Sequence, residues 1–71
     1  MTLREAVEFK EYIIEKIETQ DTELDSFLFT LGCYEGEPIT IIKHLKASST
    51  VAIKDARYNI DKNLAMSIIV K

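Results

Sequence analysis

Glycine, cysteine, histidine and tryptophan are scarce in this sequence, and their scarcity excludes several classes of site. The 71 residues include two glycines, one cysteine, one histidine and no tryptophan. Phosphate-binding and dinucleotide-binding loops need several glycines at fixed spacings, which Gly32 and Gly36 do not supply. A zinc site needs about three or four suitable ligands, and Cys33 and His44 are too few. We therefore expect no cofactor and no metal centre.

The sequence also lacks the features of an exported or membrane-spanning chain. Cys33 has no second cysteine with which to form a disulfide, whereas small secreted domains usually need several. Arg4 and Glu5 lie where a secretory signal would be apolar, and no apolar run reaches about 18 residues. We expect a soluble cytosolic protein that does not insert into a membrane.

Positive charge is not in excess, and the chain is short. Twelve acidic and nine basic residues give a formal net charge of -3, so no positive field attracts nucleic acid. A hydrophobic content of 46% predicts a globular fold, and a chain of this size can build one core. We expect one domain over residues 1–71 and no enzymatic activity, because a thin core leaves little room for a catalytic site.

One segment has a clear helical period. Leu24, Phe27, Leu28 and Leu31 are spaced as the apolar stripe of an amphipathic helix, which predicts a helix over residues 22–31. Asp21 or Thr22 can cap its start, and Gly32 stands where a left-handed residue ends many helices.

Much of the remaining chain is predicted to form short strands. Residues 39–42, 51–53, 58–60 and 68–70 are rich in β-branched and aromatic residues. The segments that separate them, at 46–49, 55–57 and 61–63, are too short for parallel crossovers, so the strands are predicted to be antiparallel. Residues 64–66 are predicted to form one helical turn capped by Asp61 or Asn63.

The N-terminal third fits either a helix or a strand. Leu3, Val7, Ile14 and Ile17 have helical spacing, whereas residues 12–17 also fit a twisted strand. The downstream sheet needs partners for its edges, which favours a strand at 11–18 after a helical turn at 3–6. The predicted fold class is mostly β with one short helix, arranged as a small closed or nearly closed antiparallel β-barrel.

Candidate functional residues fall into three groups. Cys33 and His44 are the one available nucleophile and base, but Cys33 follows a helix C-terminus that disfavours a thiolate, so a buried structural role is favoured. Carboxylates near Asp21 or at Glu35 and Glu37 can in principle hold a divalent cation. Basic side chains and exposed aromatic rings can form a protein-docking surface.

The docking group provides the partner-binding candidates. The bases at positions 43, 46, 54, 57 and 62 come from adjacent strands and can share one face, either as a solvated surface or as a docking surface for an acidic protein. The aromatic candidates for an interface anchor are Phe29, Tyr34 and Tyr58, and Tyr58 fits the core at least as well. The predicted partner-binding residues are Phe29, Tyr34, Lys43, Lys54 and Arg57.

A longer pattern links these elements. A helix ending in Leu31-Gly32 is followed by three residues, then Gly36, then a strand of alternating aliphatic residues. Val51, Ile53 and residues 64–70 continue in the matching order. The order of these elements and the length of the chain resemble those of the ferrous iron transport protein A family of bacteria, known as FeoA. The resemblance covers nearly the whole chain.

The sequence departs from the family pattern in three places. Ser26 and Phe27 stand where many members carry arginines, and residues 9–10 lack a glycine found before the first strand. The loop at 46–49 is shorter than usual. For these reasons no binding residue is transferred from the family.

The resemblance implies an SH3-like β-barrel and a role in ferrous iron uptake. It implies a cytosolic accessory or regulatory protein that docks on the cytoplasmic part of the membrane ferrous iron permease, which carries a GTPase domain. The alternatives are an SH3-like regulatory module that binds a peptide or a metal-dependent transcriptional repressor, and a weak ferrous iron chaperone using carboxylates and His44. The edge strands of so small a barrel also favour a weak homodimer.

Overall fold

Five antiparallel strands, two α-helices and one 3-10 helix form the chain. The computed structural model describes all residues from Met1 to Lys71. The elements in chain order are a 3-10 helix at Leu3–Glu5, β1 at Glu11–Ile17, α1 at Thr22–Leu31, β2 at Pro38–His44, β3 at Ser48–Ile53, β4 at Ala56–Asp61, α2 at Lys62–Ser67 and β5 at Ile68–Val70. The predicted mostly-β class is confirmed, and α2 extends over six residues where a single turn was expected.

Helix α1 has the predicted bounds because both of its ends are capped by local chemistry. Asp21 Oδ1 accepts the backbone N–H groups of Glu23 and Leu24 at 3.0 and 3.2 Å. At the other end Gly32 has a φ of 87°, and Cys33 N–H donates to Leu28 O at 2.9 Å, which closes a Schellman motif.

The strand order β4-β3-β2-β1-β5 resolves the N-terminal ambiguity. β1 pairs with both β2 and β5, and its Tyr12 and Ile14 are buried while the alternate residues are exposed. Val7, which completes the helical spacing, is 62% exposed. Pairing with a neighbour on each side therefore favours a strand over a helix for β1. This was predicted from the need of the downstream sheet for strand partners.

The barrel is open between β4 and β5. These two strands are the edges of the sheet and do not pair with each other. Helix α2 connects them and buries Ala65, and Asp61 Oδ1 caps it by accepting Leu64 N–H at 2.7 Å. The antiparallel class is correct, but the sheet is not closed, because β4 and β5 do not pair.

One apolar cluster joins the sheet to both helices. Leu28 is the only fully buried residue of α1, and Ala65 is the only one of α2. Cys33 is also buried, which confirms its predicted role as a small core residue. The cluster contains fourteen residues: Leu3, Ala6, Tyr12, Ile14, Leu28, Cys33, Ile39, Ile41, Val51, Ile53, Ile60, Ala65, Ile68 and Val70.

The turn between β2 and β3 is shorter than predicted. Ser48 and Ser49 belong to β3, although their polarity favoured a loop at 46–49. Ser49 is fully buried, and its hydroxyl accepts a hydrogen bond from Arg4 at 2.9 Å. A distant side chain thus satisfies a polar strand residue that local sequence patterns assign to a loop.

Candidate functional site

A small cleft at one end of the sheet brings together three of the predicted partner-binding residues. The rings of Phe29 and Tyr34 lie 4.8 Å apart between centroids and are tilted by 31°. Lys54 Nζ lies 5.6 Å from the centroid of the Tyr34 ring, a cation–π geometry. Phe29 is 66% exposed, so one face of this aromatic pair is open to a partner.

The end of α1 and the β3–β4 turn position these side chains. Phe29 lies in the last turn of α1, and the left-handed Gly32 directs the chain back toward Tyr34. Lys54 lies in the two-residue turn between β3 and β4 with a φ of 55°. The cleft is lined by Phe29, Thr30, Leu31, Gly32, Tyr34, Ile53, Lys54, Asp55, Ala56 and Tyr58.

The cation of the cleft is held by a carboxylate. Lys54 Nζ donates to Glu37 Oε2 at 3.3 Å. This hydrogen bond, together with the charge of Glu37, raises the pKa of Lys54. The Glu37 carboxylate, proposed from sequence as half of a cation site with Glu35, is therefore engaged by a lysine instead.

Gly32 permits the close approach of α1 to Lys54. A Cβ at this position would lie 2.7 Å from Lys54 Cε, and the φ of 87° disfavours any side chain. Replacing Gly32 by alanine is therefore expected to lower the free energy of unfolding by about 1–2 kcal/mol, measured by urea denaturation.

Gly36 is the matched control for that substitution. Its φ is 90°, but a Cβ there would meet nothing within 4 Å. Gly36→Ala incurs the same backbone strain without the contact with Lys54, so it should destabilise less than Gly32→Ala. Equal losses in the two variants would show that the Lys54 contact contributes nothing.

Lys43 and Arg57 lie outside the cleft. Lys43 pairs with Thr50 across β2 and β3, and Arg57 pairs with Ala52 across β3 and β4. Both are exposed and lie on the outer face of the sheet, away from the core. The five predicted residues thus form two sets, an aromatic cleft with one lysine and an outer face with two separated bases.

The predicted common face of five bases is wrong. Lys46 and Lys62 line a second depression with Ala47, Asp61 and Asn63 at the β2–β3 turn. Lys54 lies at the other end of β3, a distance of about six residues at roughly 3.3 Å each. Lys54 therefore lies far from Lys46 and Lys62, at the opposite end of β3. Composition alone does not reveal this separation, because it depends on the direction in which the strand runs.

The remaining sequence candidates have structural partners. His44 Nδ1 lies 2.8 Å from Ser49 Oγ, and its Nε2 lies 2.8 Å from Ala6 O. Burial raises the pKa of Cys33 to about 11, so its thiol is protonated near neutral pH. No hydrogen bond joins Cys33 to His44, and the structure has no cluster of three or more potential metal ligands.

Sequence reasoning missed Glu37 as the partner of the cleft residue Lys54, and it assigned Tyr58 to the core as readily as to a contact surface. Tyr58 is half-buried, packs against the core and also lines the cleft. The Glu37–Lys54 pair joins residues 17 positions apart, so no local pattern reveals it.

Comparison with known proteins assigns the family. The model of the FeoA domain matches residues 1–71. The chain belongs to the FeoA domain family. No curated protein matches the chain.

Two solved FeoA structures share the fold. Iron(II) transport protein A from Clostridium thermocellum is 25% identical with a TM-score of 0.89, and the match covers 100% of this chain and 44% of that protein. An iron uptake regulatory protein described as FeoA is 19% identical with a TM-score of 0.88, and the match covers 100% of this chain and 95% of that protein. The SH3-like small β fold expected from the resemblance is confirmed.

A larger metal-dependent regulator contains a similar fold. The transcriptional regulator MtsR is 20% identical with a TM-score of 0.82, and the match covers 100% of this chain but 35% of that protein. At this identity the likeness concerns the fold alone. Neither helix of the FeoA-family chain has the length and apolar character required to cross a bilayer.

Proposed function

We propose that this FeoA-family chain is a non-enzymatic accessory or regulatory protein of bacterial ferrous iron uptake. It works in the cytosol and docks on the cytoplasmic part of the membrane ferrous iron permease that carries a GTPase domain. Family membership supports the iron-uptake context. The exposed Phe29 packed on Tyr34 is the observation that supports a docking role.

The cleft has the composition of a protein-binding anchor. Aromatic side chains bury a large area with little loss of rotamer freedom, and such residues dominate many protein interfaces. Lys54 adds a cation beside the rings, while the adjacent Asp55 and the Glu37 carboxylate, 3.3 Å from Lys54 Nζ, supply the opposite charge. An apolar centre bordered by charges of both signs favours an oriented protein contact.

The decisive experiment measures binding of the whole chain to the isolated cytoplasmic part of the permease, with GDP and with a GTP analogue. Phe29→Ala is expected to weaken this binding about tenfold or more, because a central aromatic anchor is lost. Isothermal titration calorimetry gives the dissociation constant in each nucleotide state.

Phe27→Ala is the matched control for the docking test. Phe27 lies on the same helix and is 54% exposed, but it does not line the cleft. The control should bind as the unmodified chain does. Absence of binding at high micromolar concentration in both nucleotide states would reject permease docking, and equal losses in the two phenylalanine variants would reject the cleft as the contact.

Two alternatives have distinct outcomes in parallel measurements. A regulatory module for a peptide or a metal-dependent repressor would bind that partner through the cleft and leave the permease unbound. A ferrous iron chaperone would give heat in an anaerobic titration with ferrous iron alone, and substitution of His44 would reduce that heat.

A further inference from the structure

Strand β4 leaves one edge of the sheet without a partner strand. The strand order ends at β4, and its register with β3 pairs Ile53 with Ala56 on either side of the two-residue turn. Lys62 N–H donates to Ala47 O at 2.9 Å, which continues the same ladder past the end of β4. These two points fix which residues of β4 bond to β3.

The alternation of an antiparallel ladder then defines the free groups. Residues 56, 58 and 60 direct their backbone N–H and C=O groups toward β3, since bonded and non-bonded pairs alternate. The backbone N–H and C=O groups of Arg57 and Asn59 consequently point to the open edge, as does the N–H of Asp61, whereas the C=O of Asp61 belongs to the first turn of α2 because Asp61 is its N-cap. The side chains of the same three residues are all exposed.

The side chains on this edge are charged and available. The three ion pairs of the chain do not include Arg57, and its guanidinium makes no hydrogen bond within the chain. Asp61 uses Oδ1 to cap α2, and its second carboxylate oxygen has no intramolecular partner. Arg57 and Asp61 are each two residues from Asn59, in opposite directions, and have opposite charge.

We infer that β4 pairs with β4 of a second copy of this chain, antiparallel, with Asn59 opposite Asn59 of the partner subunit. In this register Arg57 lies opposite Asp61 of the partner subunit, and two-fold symmetry repeats the pair. The backbone groups of Arg57 and Asn59 and the N–H of Asp61 then occupy hydrogen-bonding positions. The interface extends the sheet across the two copies and does not depend on the proposed permease docking.

Charge selects this register over its neighbours. A two-fold axis at Arg57 would place two guanidinium groups opposite each other, and an axis at Asp61 would place two carboxylates opposite each other. Like charges directly opposite on adjacent strands are destabilising, whereas opposite charges are favourable. Only the register centred on Asn59 places both charged residues of each strand, Arg57 and Asp61, opposite a residue of opposite charge.

A single strand pair makes a weak dimer. Stable interfaces bury about 1,200–2,000 Å² of total surface, which a pairing of five or so residues does not approach. Dissociation is therefore expected at micromolar concentration and association toward the millimolar range. The dimer would form where the local concentration of the chain is high.

Sedimentation of the full chain from micromolar to millimolar concentration tests the inference. The average mass should rise toward that of a dimer, and Arg57→Glu should raise the dissociation constant about tenfold or more, because it creates two like-charge pairs. Lys43→Glu is the matched control, since it makes the same charge change on the outer face but away from the β4 edge. It should leave the dissociation constant within about twofold.

A backbone variant tests the hydrogen bonds separately. Asn59→Pro removes the outward N–H at the proposed axis, a substitution that an edge strand accommodates on its free side. Circular dichroism confirms that the variant is folded, and its dimer should be lost. A monomer at all concentrations would overturn the inference, as would a dimer weakened equally by Arg57→Glu and Lys43→Glu or retained in folded Asn59→Pro.

Discussion

Leu28→Ala is expected to lower the free energy of unfolding by about 3 kcal/mol, because it removes a fully enclosed side chain and leaves a cavity. Leu28 is 1% exposed and is the single fully buried residue of α1. Domains of this size have roughly 4–10 kcal/mol of stability in total, so the loss is large. Urea denaturation followed by far-ultraviolet circular dichroism measures it.

The same substitution should weaken the cleft without altering any residue that lines it. Leu28 fixes α1 against the core, and the next residue, Phe29, contributes the exposed ring. Loosening the helix separates Phe29 from Tyr34, so permease binding should fall together with stability. Nuclear magnetic resonance of the two rings reports their separation.

Two controls distinguish loss of packing from other effects of the Leu28 substitution. Leu28→Met keeps the volume and should cost less than about 1.5 kcal/mol. Phe27→Ala removes a larger but 54% exposed side chain from the adjacent position and should change stability by about 0.5 kcal/mol or less. If Leu28→Ala were no more destabilising than Phe27→Ala, α1 would not be anchored by Leu28.

Local signals in the sequence were sufficient for α1. Its apolar spacing, the Asp21 cap and the left-handed Gly32 all concern neighbouring residues, and the observed bounds match the predicted ones. The same is true of the alternation in β3, where Val51 and Ile53 point inward. A pattern within one element determines that element when the apolar positions match its period.

Features that depend on two distant segments were not accessible in this way. The period of residues 3–17 fits a helix and a strand equally, and the choice depends on pairing with both β2 and β5. The fit of Phe29, Tyr34 and Lys54 into one cleft requires α1 to end beside the β3–β4 turn. The aromatic residues were identifiable as candidates, but their arrangement required the tertiary fold.

Arg4 is the clearest example of a residue whose importance is hidden in the sequence. It lies in the N-terminal 3-10 helix, yet its guanidinium donates to Ser48 O at 2.6 Å, to Ser49 Oγ at 2.9 Å and to the carbonyl groups of Leu45 and Lys46. These acceptors are 41 to 45 residues away and surround the β2–β3 turn. Arg4 thus ties the N-terminus to the middle of the sheet.

Arg4→Met is expected to lower the free energy of unfolding by about 2–4 kcal/mol, because several hydrogen bonds from a charged donor are lost and the buried Ser49 hydroxyl loses a partner. Methionine keeps much of the apolar stem, so the loss reports mainly on the hydrogen bonds. Urea denaturation at low protein concentration measures it, and hydrogen exchange should be faster at the β2–β3 turn.

The chain has a second arginine that serves as the control. Arg57→Met removes a guanidinium that has no partner within the chain, so stability should change by about 0.5 kcal/mol or less. Arg4→Lys should recover only part of the loss, since one ammonium group does not reproduce the planar fork that reaches four acceptors. Full recovery with lysine would mean that Arg4 acts by its charge rather than by the geometry of its hydrogen bonds, and equal effects of Arg4→Met and Arg57→Met would exclude any stabilising role for the turn contacts.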